Sequence, residues 1–68
     1  MIMQIFINDE PIICQENSTI TSLLTQQNIH SAYIAVALNE TVIPQTEWPN
    51  TQIPDGSRII IIKAMQGG

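Results

Sequence analysis

Apolar residues along the chain follow two different spacings, and each spacing predicts a different kind of element. Several short segments are rich in β-branched or alternating apolar residues, which is typical of β-strands. These segments are 1–7, 11–15, 33–38, 42–43 and 58–65. Between the second and third of them, Ile20, Leu23 and Leu24 recur at helical spacing and give one apolar face. The predicted element order is therefore β-β-α-β-β-β.

Turn-forming residues separate these segments. Asn8–Glu10 favours a hairpin between the first two strands, because Asn and Asp bond to their own backbone and tolerate left-handed conformations. Asp55–Ser57 predicts a turn directly before the last strand. Prolines at 44, 49 and 54 make 44–54 a loop, which we expect Trp48 to anchor onto the core.

The single predicted helix decides the fold class. Ser18 or Thr19 can cap its start, and Asn28 favours a left-handed stop at its end. A helix of about two turns is unstable alone, so it must pack against a sheet. One helix covers one face of a sheet, and 68 residues allow one domain. The sequence therefore predicts a two-layer α+β domain.

The last strand does not alternate between apolar and polar residues. If Arg58 points outward, strand parity places Ile60 and Ile62 on the outer face, with Ile59 and Ile61 beneath the helix. Two interpretations of the outer pair stay open. A loop covers them or they are simply exposed, or they form a docking patch for a partner protein.

Charge narrows the choice of partner. The net charge is −4, and Arg58 and Lys63 are the two basic residues. Such a chain cannot neutralise a phosphate backbone, which argues against nucleic acid and anionic membranes as partners. A protein partner with a basic groove suits this charge better.

Residues that carry catalytic or metal chemistry are sparse. The one cysteine, Cys14, follows an apolar pair and is expected to be a packed structural thiol, and His30 is expected at the surface. The sequence contains no cluster of metal ligands, no nucleophile motif and no glycine-rich phosphate loop. We therefore predict no catalytic residue, metal or bound cofactor of its own. A single cysteine and the lack of an export signal favour an intracellular protein.

The chain ends on "KAMQGG", residues 63–68. The tail is either inert or a carrier of chemistry at its carboxylate. Extended chain spans about 3.3–3.6 Å per residue, so 65–68 would reach roughly 13 Å beyond the last strand. Gly67 and Gly68 lack Cβ atoms and would fit a narrow channel in another protein.

Four stretches give the chain a family resemblance that runs nearly end to end. They are "MQIFIND" (3–9), "TITSLL" (19–24), "VALNETVIPQTEW" (36–48) and "DGSRIIIIKAMQGG" (55–68). Together they resemble the ubiquitin-like sulfur carriers of the ThiS/MoaD type, and most closely the carriers of thiamine biosynthesis. The resemblance implies a β-grasp fold over 1–64, with a mixed sheet of four to five strands on one short helix. It implies a flexible tail over 65–68.

The resemblance also implies a mechanism. In this family an adenylyltransferase related to ubiquitin-activating enzymes (ThiF-type) uses ATP to adenylate the terminal carboxylate, here that of Gly68. Sulfur from a cysteine desulfurase then displaces AMP, and a thiazole synthase (ThiG-type) uses the resulting thiocarboxylate. Gln66, Gly67 and Gly68 would enter the partner active site, and Ile60 and Ile62 would dock. Such a carrier is expected to be a cytoplasmic monomer, or one of the plastid stroma.

The sequence leaves three other functions open. A molybdopterin-type carrier would share the tail chemistry, although the tight turn at Asn8–Glu10 and the Glu47-Trp48 pair argue against it. A ubiquitin-like modifier would be conjugated to lysines through Gly68, and an interaction domain would leave the tail inert.

Two residues depart from the family pattern. Ser22 replaces an acidic residue and weakens the case for a capping box, whereas Ile60 makes the outer face more apolar.

Overall fold

One mixed sheet and one α-helix form the domain. The computed structural model describes residues 1–30 and 33–63. Its elements, in chain order, are β1 (Ile2–Ile7), β2 (Glu10–Gln15), α1 (Ile20–Gln26), β3 (Ile34–Leu38), β4 (Thr41–Ile43), a 3-10 helix (Gln45–Asn50) and β5 (Arg58–Lys63). The sheet has five strands in the order β2-β1-β5-β3-β4. This is the predicted α+β architecture of the β-grasp type, at the upper end of the predicted strand number.

The last strand occupies the centre of the sheet. β5 pairs in parallel with β1, where Phe6 lies opposite Arg58. On its other side β5 pairs antiparallel with β3, from Ile34 opposite Lys63 to Leu38 opposite Ile59. β5 is therefore paired on both sides at Ile59, and with β3 alone from Ile60 to Lys63.

Both hairpins close with tight two-residue turns. The φ angles are 50° at Asn8 and 70° at Asp9, and 48° at Asn39 and 72° at Glu40. Positive φ at both central residues is the type I′ geometry, whose twist matches that of the flanking strands. The hairpin predicted at Asn8–Glu10 is confirmed.

Helix α1 begins with a reciprocal cap. The hydroxyl of Thr19 accepts a hydrogen bond from the Ser22 main-chain N–H at 3.2 Å, and the Thr19 N–H donates to Ser22 Oγ at 2.8 Å. The interpretation that Ser22 weakens the capping box is wrong, because its hydroxyl accepts the bond that a Glu carboxylate would accept. The predicted stop is confirmed, since Asn28 has a φ of 58°.

The core lies between α1 and the inner face of the sheet. Its buried apolar residues come from every layer of the fold. They are Met3, Ile5, Cys14, Ile20, Leu23, Leu24, Val36, Trp48, Ile53 and Ile59. All three apolar residues that predicted the helix face are in this set, so the period of 3.6 identified the buried side correctly.

The predicted loop over 44–54 is more ordered than a loop. It contains the 3-10 helix, with Pro49 inside it. Trp48 is buried and its indole N–H donates to the Ile43 carbonyl at 2.9 Å. The prediction that Trp48 anchors this segment is confirmed. The predicted boundary between domain and tail, at 64/65, lies outside the described residues.

Candidate functional site

The predicted reactive end lies outside the described residues. Gln66, Gly67 and Gly68 were the residues expected to enter a partner active site, and the structure describes the chain up to Lys63 at that end. What the structure places is the strand from which the tail starts, together with the sheet surface beside it.

The four isoleucines of β5 divide between two environments. Ile59 is 1% exposed, and Ile61 packs against the core. Ile62 is 60% exposed, and Ile60 is partly buried. The predicted parity is therefore confirmed, with Ile59 and Ile61 inside and Ile60 and Ile62 on the outer face.

Neighbouring strands extend this outer apolar surface. Ile62 lies opposite Ala35, and Ile60 lies opposite Ala37. Ala37 in turn lies opposite Val42, which is 69% exposed. These five residues on β3, β4 and β5 form one apolar group, which we call the outer patch. Small alanines between larger side chains leave Ile62 and Val42 prominent.

The outer patch faces away from the helices. The buried side of α1 and Trp48 of the 3-10 helix both pack on the opposite face of the sheet. The described residues leave Ile62 largely exposed, so its cover by a loop is not what the structure shows. Ile60 is less exposed than Ile62 and lines a recess with Asn39, Glu40 and Arg58.

Charged side chains border the outer patch at one end. Arg58 Nη2 lies 3.5 Å from Asp9 Oδ1, and both side chains are mostly exposed. An exposed pair of this kind contributes little to stability. The Arg58–Asp9 pair instead gives the outer patch a polar rim beside its apolar centre, which is the usual layout of a protein interface.

The remaining candidate chemistry is absent from the described part of the chain. Within residues 1–30 and 33–63, no group of three or more His, Cys, Asp or Glu side chains is placed to hold a metal ion. His30 is exposed, as predicted. Cys14 is buried in the core, which confirms it as a packed thiol. No α-helix in this part of the chain has the length and apolar character to cross a bilayer.

The thiol of Cys14 is held in its neutral form. Burial raises the pKa of the Cys14 thiol, a hydrogen bond with Ser18 opposes the rise, and the charge of Asp55 adds to it. A raised pKa leaves less thiolate, which is the nucleophilic form. Cys14 is therefore a poor site for sulfur transfer.

The raised pKa of Cys14 makes the stability of the domain pH-dependent. An unfolded thiol has a pKa of about 8.5 and loses its proton as the pH rises past that value, whereas the folded thiol keeps it. The stabilisation is fully present below the unfolded pKa and is lost as the pH approaches the folded one. In urea unfolding between pH 7 and 10, we expect the wild type to lose stability relative to Cys14→Ala. Parallel curves for the two proteins would contradict the buried neutral thiol.

Sequence reasoning missed three members of the outer patch. It identified Ile60 and Ile62 from their lack of alternation, but Ala35, Ala37 and Val42 carry no such signal by themselves. They join the patch because β3 pairs with both β5 and β4. Strand order was the missing information, since parity assigns a face only after neighbouring strands are known.

A family model, two curated relatives and a solved structure were found to be similar to this chain over nearly its whole length. Residues 3–68 match the model of the ThiS family. The chain is 32% identical over 66 residues to the sulfur carrier protein ThiS of Escherichia coli K12, covering 97% of this chain and 100% of that one. It is 33% identical to the uncharacterized protein ycf40 of Porphyra purpurea, covering 97% and 93%. The crystal structure of the thiamine biosynthesis protein ThiS from Geobacter metallireducens superposes with a TM-score of 0.84 at 28% identity, covering 97% and 100%.

Proposed function

The chain belongs to the ThiS family, and from this premise we propose that it carries sulfur for thiazole formation as a thiocarboxylate on Gly68. The observation that supports this most is the reach of the family match, which runs to residue 68 and so includes the Gly-Gly end. The central position of β5 is the second support, because the strand that leads to the tail lies between β1 and β3 in the sheet.

The proposed reaction first activates the carboxyl group of Gly68 and then replaces one of its oxygens with sulfur. A carboxylate is a poor electrophile, so an activating ThiF-type adenylyltransferase first joins it to the AMP portion of ATP and releases pyrophosphate. A persulfide charged by a cysteine desulfurase then attacks the acyl carbon and AMP leaves. A second thiol cleaves the S–S bond of the resulting acyl disulfide, and the two thiols end as a disulfide. The thiocarboxylate that results is the sulfur donor to a ThiG-type thiazole synthase. The chain is thus a co-substrate of these enzymes and needs no bound cofactor of its own.

The outer patch is the proposed docking surface for these partners. Ile60 and Ile62 lie on the strand that continues into Gln66 and the two glycines. A partner that binds the patch therefore holds the start of the tail as well, so binding energy at the sheet directs the carboxylate to the active site. The acidic net charge of −4 favours partners with a basic rim around an apolar contact.

We propose that the carrier acts as a monomer in the cytoplasm, with the plastid stroma as the alternative.

Intact mass measurement tests the proposal. The chain is incubated with ATP, sulfide and a ThiF-type enzyme, and a parallel reaction omits ATP. We expect a mass gain equal to the exchange of one oxygen for one sulfur, in the ATP reaction alone. Covalent attachment to other proteins would instead identify a modifier. Absence of both an adenylate and a sulfur product would show that the tail is inert towards this chemistry.

A further inference from the structure

Strand β1 ends before its parallel partner β5 does. Main-chain bonds join the two strands from Phe6 N to the Ser57 carbonyl and from Asn8 N to the Ile59 carbonyl, each at 2.9 Å. The chain then turns away from β5 at Asn8 and Asp9, which have positive φ angles. The main chain of β1 is therefore no longer in place to bond with Ile61.

The side chain of Asn8 takes over where the main chain of β1 stops. Asn8 Oδ1 accepts a hydrogen bond from the Ile61 N–H at 2.9 Å, and Asn8 Nδ2 donates to the Ile61 carbonyl at 3.2 Å. An Asn amide carries the same donor and acceptor as a peptide group. Asn8 thus extends the β1–β5 ladder by one more position and bonds both main-chain groups of Ile61.

Ile61 is a position where such a bond has consequences beyond stability. It lies between Ile60 and Ile62 of the outer patch, and two residues before Lys63. A bond to its main chain ties the part of β5 that carries the patch, and that leads to the tail, to the end of β1. We propose that Asn8 is a positioning residue for the terminal carboxylate, an inference that rests on the sulfur-carrier function proposed above.

A tail held extended in the channel of a partner would magnify any error at its base. Gly68 lies five positions beyond Lys63, and five steps of extended chain span roughly 17 Å. A swing of about 10° at the base would move the far end by about 3 Å, which is comparable to one residue of extended chain. Misplacement by about 1 Å in an active site already slows reactions strongly. The Asn8 amide reduces this swing while the carrier is docked.

A simpler interpretation is that Asn8 serves the turn alone, because Asn tolerates its left-handed φ of 50°. Asn8→Gly separates the two roles, since glycine keeps the backbone conformation and removes the amide. Asn39→Gly is the matched control. Asn39 holds the same position in the other type I′ turn, with a φ of 48°, and its Oδ1 accepts from the Arg58 N–H at 2.9 Å. It therefore binds the same strand at the end distant from the tail.

The test combines two measurements. Hydrogen exchange reports on the Ile61 amide, and the rate of pyrophosphate release reports on adenylation of the full chain by a ThiF-type enzyme. In Asn8→Gly we expect exchange at the Ile61 amide to accelerate about tenfold and kcat to fall by about three- to tenfold, with KM for the carrier within about twofold of wild type. Asn8→Asp keeps the acceptor and should recover part of kcat. In Asn39→Gly, which removes a bond at the other end of β5, kcat should fall clearly less than in Asn8→Gly.

The outcomes distinguish this inference from the proposed function. If the wild type is adenylated and Asn8→Gly matches its kcat, or if Asn39→Gly lowers kcat equally, the positioning role is overturned and the carrier function stands. If the wild type gives no adenylate, the proposed function fails and the positioning role with it. A change in KM alone would show that Asn8 affects docking and not the placement of the carboxylate.

Discussion

Addition of a single alanine after Gly68 is expected to abolish sulfur loading, with a loss of at least about 100-fold in rate. The extra residue moves the carboxylate by about 3.3–3.6 Å along an extended chain and places a methyl group beside the acyl carbon. An active site that holds the carboxyl of Gly68 in line with ATP would then face a peptide bond, which it cannot adenylate. Intact mass measurement after incubation with ATP, sulfide and the activating enzyme reports the effect.

The matched control adds one residue at the opposite end of the chain. Met1 is 96% exposed, so an alanine placed there meets solvent and should change neither loading nor stability. The free energy of unfolding of both extended proteins should equal that of the wild type, because both additions leave every residue of the described core unchanged. Loading of the Gly68-extended chain at the wild-type rate would contradict the proposed role of the terminal carboxylate.

Replacement of Ile62 by aspartate is expected to raise the Kd for the activating enzyme by at least about tenfold, because a charge would be buried against an apolar partner surface. Ile62 is already 60% exposed in the free protein. The cost in stability should therefore stay below about 1 kcal/mol, mainly from the poor strand propensity of aspartate. Titration calorimetry gives the Kd, and urea unfolding gives the stability.

Ile13→Asp is the control for this variant. Ile13 is 52% exposed and lies on the same face of the sheet, but on β2, two strands away from β5. Ile13→Asp introduces the same charge, and we expect it to bind the activating enzyme with the wild-type Kd. Ile60 is a less clean probe than Ile62, since its partial burial beside Arg58 would add a loss of stability. An equal loss of affinity in Ile13→Asp and Ile62→Asp would show a general charge effect and would contradict a docking site centred on β5.

The sequence predicted the order and type of the main elements because their signals are local. Alternating apolar residues, the helical spacing of Ile20, Leu23 and Leu24, and the Asn-containing turns each act over a few positions. The 3-10 helix around Trp48 was missed because prolines at 44, 49 and 54 indicate only that a regular α-helix or strand is interrupted there.

Features that depend on which strands are neighbours could not be predicted in the same way. The outer patch needs β3 beside β5, and the bond from Asn8 to Ile61 needs β1 parallel to β5. The two residues of that bond are 53 positions apart, and no local pattern connects them. The tail chemistry rests instead on family resemblance, which the match over residues 3–68 supports.

The position of the transferred sulfur tests the central claim most directly. Fragmentation of the reacted chain in a mass spectrometer separates ions that contain Gly68 from ions that end before it. We predict that only fragments with Gly68 carry the exchange of one oxygen for one sulfur. Sulfur found elsewhere, such as a whole added atom on Cys14, would contradict a carrier that works through its terminal carboxylate.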